Sequence, residues 1–219
     1  MAATPGGRPT IAAEAFLRAL ADHGVDYFFC NPGTDFPPIV EAFSRARKTN
    51  ARVPKPILVP HENLAIGMAH GAYLATGKPQ AVMVHTTVGT ANTINNLINL
   101  SRDGVPLLLA AGRTPITEKG SFGSRNRPIQ WGQEMYDQAG MVRELVKWDY
   151  ELRMPAQVGE AVARGVEVAN HSITPSSVFH PSRESLRKWR GAVSILSGRQ
   201  CCRAILSQMT TSPISQWCV

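Results

Sequence analysis

The sequence has no apolar run near the ~18 residues that a membrane-spanning helix needs, which argues against a helical transmembrane protein. Its start, Met1 to Pro9, is Gly/Pro-rich and lacks the long apolar block and small-residue cleavage site of a secretory signal, so the cytoplasm is the expected compartment. Cysteine is scarce: Cys30 stands alone in the body of the chain, and Cys201, Cys202 and Cys218 gather near its end. An adjacent pair with no partner pair and no suitably spaced histidine does not read as a zinc site, and these positions give no disulfide framework. No metal ligand set is expected. The net charge of +7 invites a nucleic-acid reading, but residues 1–170 carry 17 Lys+Arg against 15 Asp+Glu, while residues 171–219 carry 6 against 1. The basic excess lies in a tail where it is scattered among Ser and Trp, without the aromatic interleaving or clustered stripe of a binding face, so no nucleic-acid partner is expected.

What is present is an ordinary globular composition, 43% hydrophobic and 18% charged over 219 residues, enough for one domain or one and a half with a real core. Strand-like and helix-like segments alternate. An amphipathic stretch over 11–22 stops at Gly24, an aromatic-rich strand runs from Val25 to Cys30, and the turn Asn31 to Asp35 leads to a helix over 36–46 that Asp35 is placed to cap. After a proline-punctuated loop from Lys48 to Pro56, Ile57, Leu58 and Val59 form a short strand closed by Pro60, and a helix begins near Glu62 and stops at Gly77. Ala81 to His85 is a strand apolar enough to be covered on both faces. Thr86 to Asn92 reads as a turn opening a helix over 90–101, and Val105 to Ala111 as another buried strand. Residues 112–135 read as a surface excursion, and a helical stretch opens at Gly132 with Met135, Ala139, Val142 and Leu145 on one face. Val146 to Leu152 alternates like a strand, and Pro155 starts a last helix over 156–169. This order predicts an α/β fold of three layers, a mostly parallel sheet with helices on both faces and a ligand crevice at the strand ends.

Glu62 sits where a buried strand turns into a helix, pointing out over that sheet edge. Local pattern alone leaves two readings open, a site carboxylate or a first-turn acid that complements the helix dipole.

The order Gly24-Val25, Tyr27, Phe29, Pro32-Gly33, then His61-Glu62 with Ala65, Ala69, Gly71, Ala75, Thr76, Gly77 and Lys78, then Gly89 and Asn92, then Asp103, Val105-Pro106-Leu107 and Gly112, resembles the N-terminal pyrimidine-binding domain of thiamine-diphosphate-dependent enzymes. The acetolactate synthase and 2-oxo acid decarboxylase group is the nearest part of that family. The resemblance covers roughly residues 10–170, giving a domain over 1–171 and an irregular basic tail over 172–219. It implies a catalytic role for Glu62. In the family a glutamate there hydrogen-bonds a ring nitrogen of the cofactor's aminopyrimidine and favours the imino form, which takes the proton from the thiazolium carbon that attacks a 2-oxo acid. The same resemblance places Pro32 and Gly33 at the active-site entrance, Thr86, Gly89 and Asn92 beside the pyrimidine, and Gln133 near the reaction centre. Turn geometry for Gly33 and Gly89, and a helix cap for Asn92, remain equally good readings of those residues. His61 adjoins the glutamate, where tuning its charge or touching substrate is one reading, and an exposed or satisfied histidine is the commoner one. His85 replaces a residue that is usually small and polar; facing the cofactor it would have a catalytic reading, but it stays outside the catalytic set because no partner for it can be identified from sequence. Thr87 and Val88 stand where Gly-Pro is usual, which bears on the product formed more than on cofactor binding.

The family holds Mg²⁺ and the diphosphate with a Gly-Asp-Gly motif and a downstream Asn in a separate domain, and no such segment occurs in these 219 residues. Family sites are built across a dimer. The chain is therefore expected to supply half a site, completed in a homodimer of a longer form or by a partner polypeptide, and to turn over little alone. A non-catalytic module that docks on intact relatives is the alternative. From Leu186 onward nothing matches the family, and translation in an unintended frame and a private extension both account for that tail. The frameshift origin predicts that another reading frame of the gene restores the family's middle domain; finding it in neither other frame excludes that origin.

Overall fold

The computed structural model describes residues 11–115, 117–120, 124, 127–171 and 193–198. Strands β1 (Tyr27–Asn31), β2 (Lys55–Leu58), β3 (Gln80–Val84), β4 (Leu107–Gly112), β5 (Trp148–Leu152) and β6 (Val193–Gly198) form one sheet in the order β2-β1-β3-β4-β6-β5. Every pairing is parallel. The helices are α1 (Ala12–Asp22), α2 (Pro37–Thr49), α3 (Glu62–Thr76), α4 (Thr86–Asn92), α5 (Ile94–Arg102), α6 (Pro128–Gly132) and α7 (Val158–Asn170).

Successive strand residues point to opposite faces, and in the central strands both faces are apolar. Phe28, Cys30, Ala81, Met83, Leu108 and Ala110 pack on one side with side chains from α1, α2 and α7. Phe29, Val82, Val84, Leu107, Leu109 and Ala111 pack on the other with side chains from α3 and α5. These are the three expected layers. Buried Gln80 closes the lower end of the sheet, its Oε1 accepting from the Tyr27 amide at 3.0 Å and its Nε2 donating to the Lys78 carbonyl at 3.0 Å. No helix among the described residues is long and apolar enough to cross a membrane.

Several expected boundaries move, each for a tertiary reason. The strand expected over 57–59 begins at Lys55, inside the predicted loop, because Lys55 pairs with Tyr27 of β1. Thr86 to Asn92 is a helix rather than a turn, and it breaks before α5 instead of running through from residue 90. Across that break the Thr90 and Thr93 hydroxyls donate to the Thr86 and Thr90 carbonyls, the local back-bonding that competes with regular helix. The helical stretch expected from Gly132 is not continuous: α6 ends at Gly132 and only a 3₁₀ turn, Ala139–Met141, follows. Arg113 at the end of β4 draws in both the Glu134 carboxylate and the Met135 carbonyl, and Thr114 donates to the same carboxylate, which pulls the segment out of helical geometry.

Within the stretch expected to be an irregular tail, residues 193–198 lie as β6 between β4 and β5; Val178, Phe179 and Pro181 to Glu184, read from sequence as remnants of the family pattern, lie outside the described residues. As β6 carries a ladder on each side, a chain ending at residue 192 is expected to lose several kcal/mol of stability, at about 1 kcal/mol per backbone bond. Urea unfolding of the two lengths measures it.

Candidate functional site

Going from β1, the chain moves to β2 on one side and to β3 on the other, so the connections leaving β1 and β3 part above the sheet. That divergence opens a crevice at the carboxyl ends of the strands, the usual ligand position of open α/β sheets. Three connections meet there: the turn from Asn31 to Phe36, the turn from Val59 to Glu62, and the link from Val84 to α4.

Glu62 is the first residue of α3 and only 9% exposed. Asn92, the last residue of α4, donates from Nδ2 to Glu62 Oε2 at 3.1 Å. The other oxygen, Oε1, faces Gly89: a Cβ there would lie 3.4 Å from it and 3.1 Å from the Val84 Cβ, so the glycine keeps space open beside the carboxylate. The start of α3 is tied down on three sides. Asn31 donates to the Val59 carbonyl at 2.9 Å, and the Asn63 side chain and carbonyl take the amide and Nδ2 of Asn96 at 2.9 and 2.8 Å. His61 caps the helix, its Nδ1 accepting from the Asn63 amide at 3.1 Å. That nitrogen lies 4.0 Å from Glu62 Oε2, beyond hydrogen-bond distance.

Thr86 opens α4 with φ at +47°, a left-handed conformation that is strained for a β-branched residue. Its hydroxyl oxygen is buried without a hydrogen-bond partner among the described residues. Buried Gln138 donates to both the Thr90 hydroxyl and the Gly112 carbonyl, at 3.0 and 3.1 Å, and so holds α4 against the end of β4. Thr87 donates to the Gln133 carbonyl at 2.5 Å.

Asp35 does not cap α2; Phe36 is the cap residue and supplies no side-chain bond. The carboxylate turns instead to His85, with Oδ1 2.7 Å from the imidazole Nδ1. The hydrogen bond to Asp35 raises the histidine pKa above its ordinary value of 6.5, the charges of Asp35 and Glu62 add to this, and burial opposes it.

Of the residues singled out by sequence, Glu62 and Asn92 come into direct contact and Gly89 faces the carboxylate, with Thr86 at the head of the helix that carries Gly89 and Asn92. Gly33 packs on His85, Pro32 is exposed beside it, and Gln133 reaches the group through its backbone carbonyl. Sequence reasoning missed Asp35 as the partner of His85, as well as Asn31, Asn63, Asn96 and Gln138. Their partners lie 26 to 50 residues away, and no spacing signal points to them.

Glu62, with Oε2 anchored by Asn92 and Oε1 facing Gly89, suits a ligand that offers a hydrogen-bonding nitrogen. The family model described as "Thiamine pyrophosphate enzyme, N-terminal TPP binding domain" matches residues 11–141. The chain is 28% identical over 157 residues to benzoylformate decarboxylase of Pseudomonas aeruginosa, covering 72% of this chain and 27% of that protein. It is 27% identical over 168 residues to sulfoacetaldehyde acetyltransferase of Rhodobacter capsulatus, covering 77% and 26%. To the mitochondrial acetolactate synthase catalytic subunit of Saccharomyces cerevisiae it is 26% identical over 152 residues, covering 68% and 20%. The matched segment thus amounts to about a quarter or less of the length of these curated relatives.

A Cβ on Gly112 would fall 1.9 Å from Asp35 Oδ2, so Gly112→Ala must displace the carboxylate from His85 and is expected to cost about 1–3 kcal/mol through overpacking. Because the folded pKa of His85 lies above the unfolded one, the pair's protonation-linked contribution is complete below the unfolded value near 6.5 and vanishes as pH rises through the folded value. Denaturant unfolding is therefore expected to show a larger deficit for Gly112→Ala at about pH 6 than at about pH 9.

Proposed function

The chain belongs to the thiamine pyrophosphate enzyme family through its N-terminal TPP-binding domain, and we propose that Glu62 is the carboxylate with which it engages the aminopyrimidine of thiamine diphosphate. The observation that carries this reading is the Glu62–Asn92 contact: a carboxylate nine-tenths buried, fixed through one oxygen and open on the other. Thiamine diphosphate, when bound, supplies a nucleophilic carbon and an electron sink for cleavage next to the carbonyl of a 2-oxo acid.

The chain's own residues bind, orient and exclude water. Asn92 leaves Glu62 Oε2 occupied, so Oε1 is the atom that holds or passes a proton at a ring nitrogen. Gly89 and Val84 shape the space in front of it. The buried Thr86 hydroxyl offers a donor or an acceptor to the same ring. Val59, Ala65 and Ile66 pack around the start of α3 and keep solvent from it, which strengthens hydrogen bonds made there. Pro32 and Gly33 border the entrance, and Gln133 lies on the substrate side.

These residues make the pyrimidine half of a site in an acetolactate-synthase-like or 2-oxo acid decarboxylase-like protein. The diphosphate and Mg²⁺ are held by a domain supplied by another polypeptide or by a longer form of the chain, across a dimer. Calorimetric titration with thiamine diphosphate, with and without a polypeptide carrying that domain, tests the reading. Tight binding is expected only for the mixture, and Glu62→Gln is expected to lower the mixture's turnover of a 2-oxo acid by about 10²-fold or more. Decarboxylation of pyruvate by this chain alone with thiamine diphosphate and Mg²⁺ overturns the half-site reading. Full turnover by the Glu62→Gln mixture overturns the role of the carboxylate and leaves a docking module.

A further inference from the structure

Helix α4 is seven residues long and presents two working faces. At about 3.6 residues per turn, Thr87 and Thr90 fall on one side of it, and Gly89 and Asn92 fall on the opposite side. The second side meets Glu62: Asn92 Nδ2 donates to Oε2 at 3.1 Å, and Gly89 faces Oε1. The first side meets residues 133–138. Thr87 donates to the Gln133 carbonyl at 2.5 Å, and the Thr90 hydroxyl accepts from Gln138 at 3.0 Å. A helix this short has few hydrogen bonds of its own, so its orientation depends on those outer ties.

Residues 133–138 are themselves fixed to the end of β4. Glu134 follows Gln133, and both of its carboxylate oxygens are engaged there: Oε1 by the Arg113 guanidinium, and Oε2 by the amide and hydroxyl of Thr114. Arg113 also donates to the Met135 carbonyl at 2.7 Å and to Glu151 of β5 at 3.0 Å. A single peptide link, from residue 133 to residue 134, therefore joins the tie to α4 and the tie to β4. Beside it, Gln138 joins Thr90 to the Gly112 carbonyl. The Arg113 side chain is 6% exposed. A buried ion pair adds little net stability over apolar residues of the same size. What a guanidinium adds is direction, because its planar fork fixes where each bound carboxylate stands.

We propose that Arg113 is a positioning residue, which through Glu134 and the Gln133 carbonyl sets the orientation of α4 and so keeps Asn92 at hydrogen-bond distance from Glu62. Its consequence for turnover rests on reading Glu62 as the carboxylate that engages the cofactor. The contacts form a continuous series from Arg113 to Glu134, from the Gln133 carbonyl to Thr87, and from Asn92 across the helix to Glu62. Because a helix turns as a unit, a change on the Thr87 side is passed to the Asn92 side. With Glu134 released, the Gln133 carbonyl withdraws from Thr87; α4 then loses the tie at its first turn and keeps the one from Gln138, and rotation about that point swings Asn92 away from Oε2. Glu62 then has two free oxygens instead of one, and its orientation toward a bound ring is no longer single.

¹⁵N NMR of the full chain reads the Asn92 side-chain amide without any turnover, with the signal assigned from an Asn92→Ser sample and its unbonded position given by Glu62→Ala. Arg113→Lys, which keeps the charge and loses the fork, and Arg113→Met, which keeps the bulk and loses the charge, are each expected to move the signal at least halfway to that position. The methyl signals of Leu17 and Val162, buried in the core, are expected to stay in place. An Asn92 signal that stays put in the folded Arg113 variants overturns the proposal. If neither variant folds, Glu134→Gln decides from the other end of the same tie: a displaced signal supports the proposal and a native one overturns it. Adding thiamine diphosphate and the partner domain keeps the two readings apart. In that mixture Arg113→Lys is expected to lower turnover of a 2-oxo acid by about tenfold or more. Native turnover with a displaced Asn92 signal overturns the cofactor reading, which rests on the contact between Glu62 and Asn92, and leaves the role of Arg113 standing. Lowered turnover with a native Asn92 signal overturns the role of Arg113 and leaves the cofactor reading.

Discussion

Parallel strand direction is the constraint on which the site depends. Because every strand of the sheet runs the same way, β1, β2, β3 and β4 all deliver their carboxyl ends to one edge, and residues far apart in sequence converge there. Neighbouring strands β1 and β3 bring Asp35 to His85. The strand beyond β1 delivers Glu62, and α3, lying over β1 and β3, carries it to Asn92 at the end of α4. Gly112 on β4 closes the group from the far side. The sheet order does what no local motif could: it converts three separate connections and the end of β4 into one cluster.

Among the described residues, favourable packing gives way to unsatisfied polarity at that cluster and at Arg113 Nε just beyond β4. The two faces of the sheet are filled by alternate strand residues and bury almost nothing polar. At the strand ends the balance reverses, with a buried carboxylate at Glu62, a lone oxygen on Asp35, and a Thr86 that is both strained in backbone and unpartnered in its hydroxyl. Each such feature costs on the order of 1–3 kcal/mol. Strain and orphaned polarity persist where surrounding structure over-determines them, and here the anchors are evident: Asn63 with Asn96 locks α3 to α5, and Gln138 locks α4 to β4.

Much of this was legible in the sequence, and the limit is physical. The strand-to-helix junction at Glu62 was readable because a β-branched run, a proline and a helical period are all local signals, and the structure begins α3 at that residue. The parallel sheet was readable from the alternation of apolar segments. Asp35 was misread because an acid before a helix is usually a cap; its actual partner follows β3, and only strand pairing brings the two together. The apolar period after Gly132 was sound as a pattern, but the charge on Arg113 outweighed it by drawing residues 134 and 135 to the sheet. Local reading fails where a polar group finds a distant partner, and those places cluster at the site.

The same logic applies to residues 193–198. In composition the region looked foreign to the domain, being basic, rich in Ser and unmatched to the family. Yet among the described residues β5 pairs with β6 alone, and β6 in turn pairs with β4, so without a strand in that slot β5 loses that neighbour and β4 has an open edge. The unit β5–α7–β6 is a parallel crossover, and α7 packs on β4, β5 and β6 together, which requires a sheet beneath it. What the slot demands is backbone hydrogen bonding in an extended conformation, not a particular set of side chains. Residues with no resemblance to the family's own strand can meet that demand, whereas no substitute arrangement of the turns could reproduce the contact between Glu62 and Asn92. The sheet interior is set by generic chemistry and its carboxyl edge by specific chemistry, the contacts among Glu62, Asn92, Asp35 and His85.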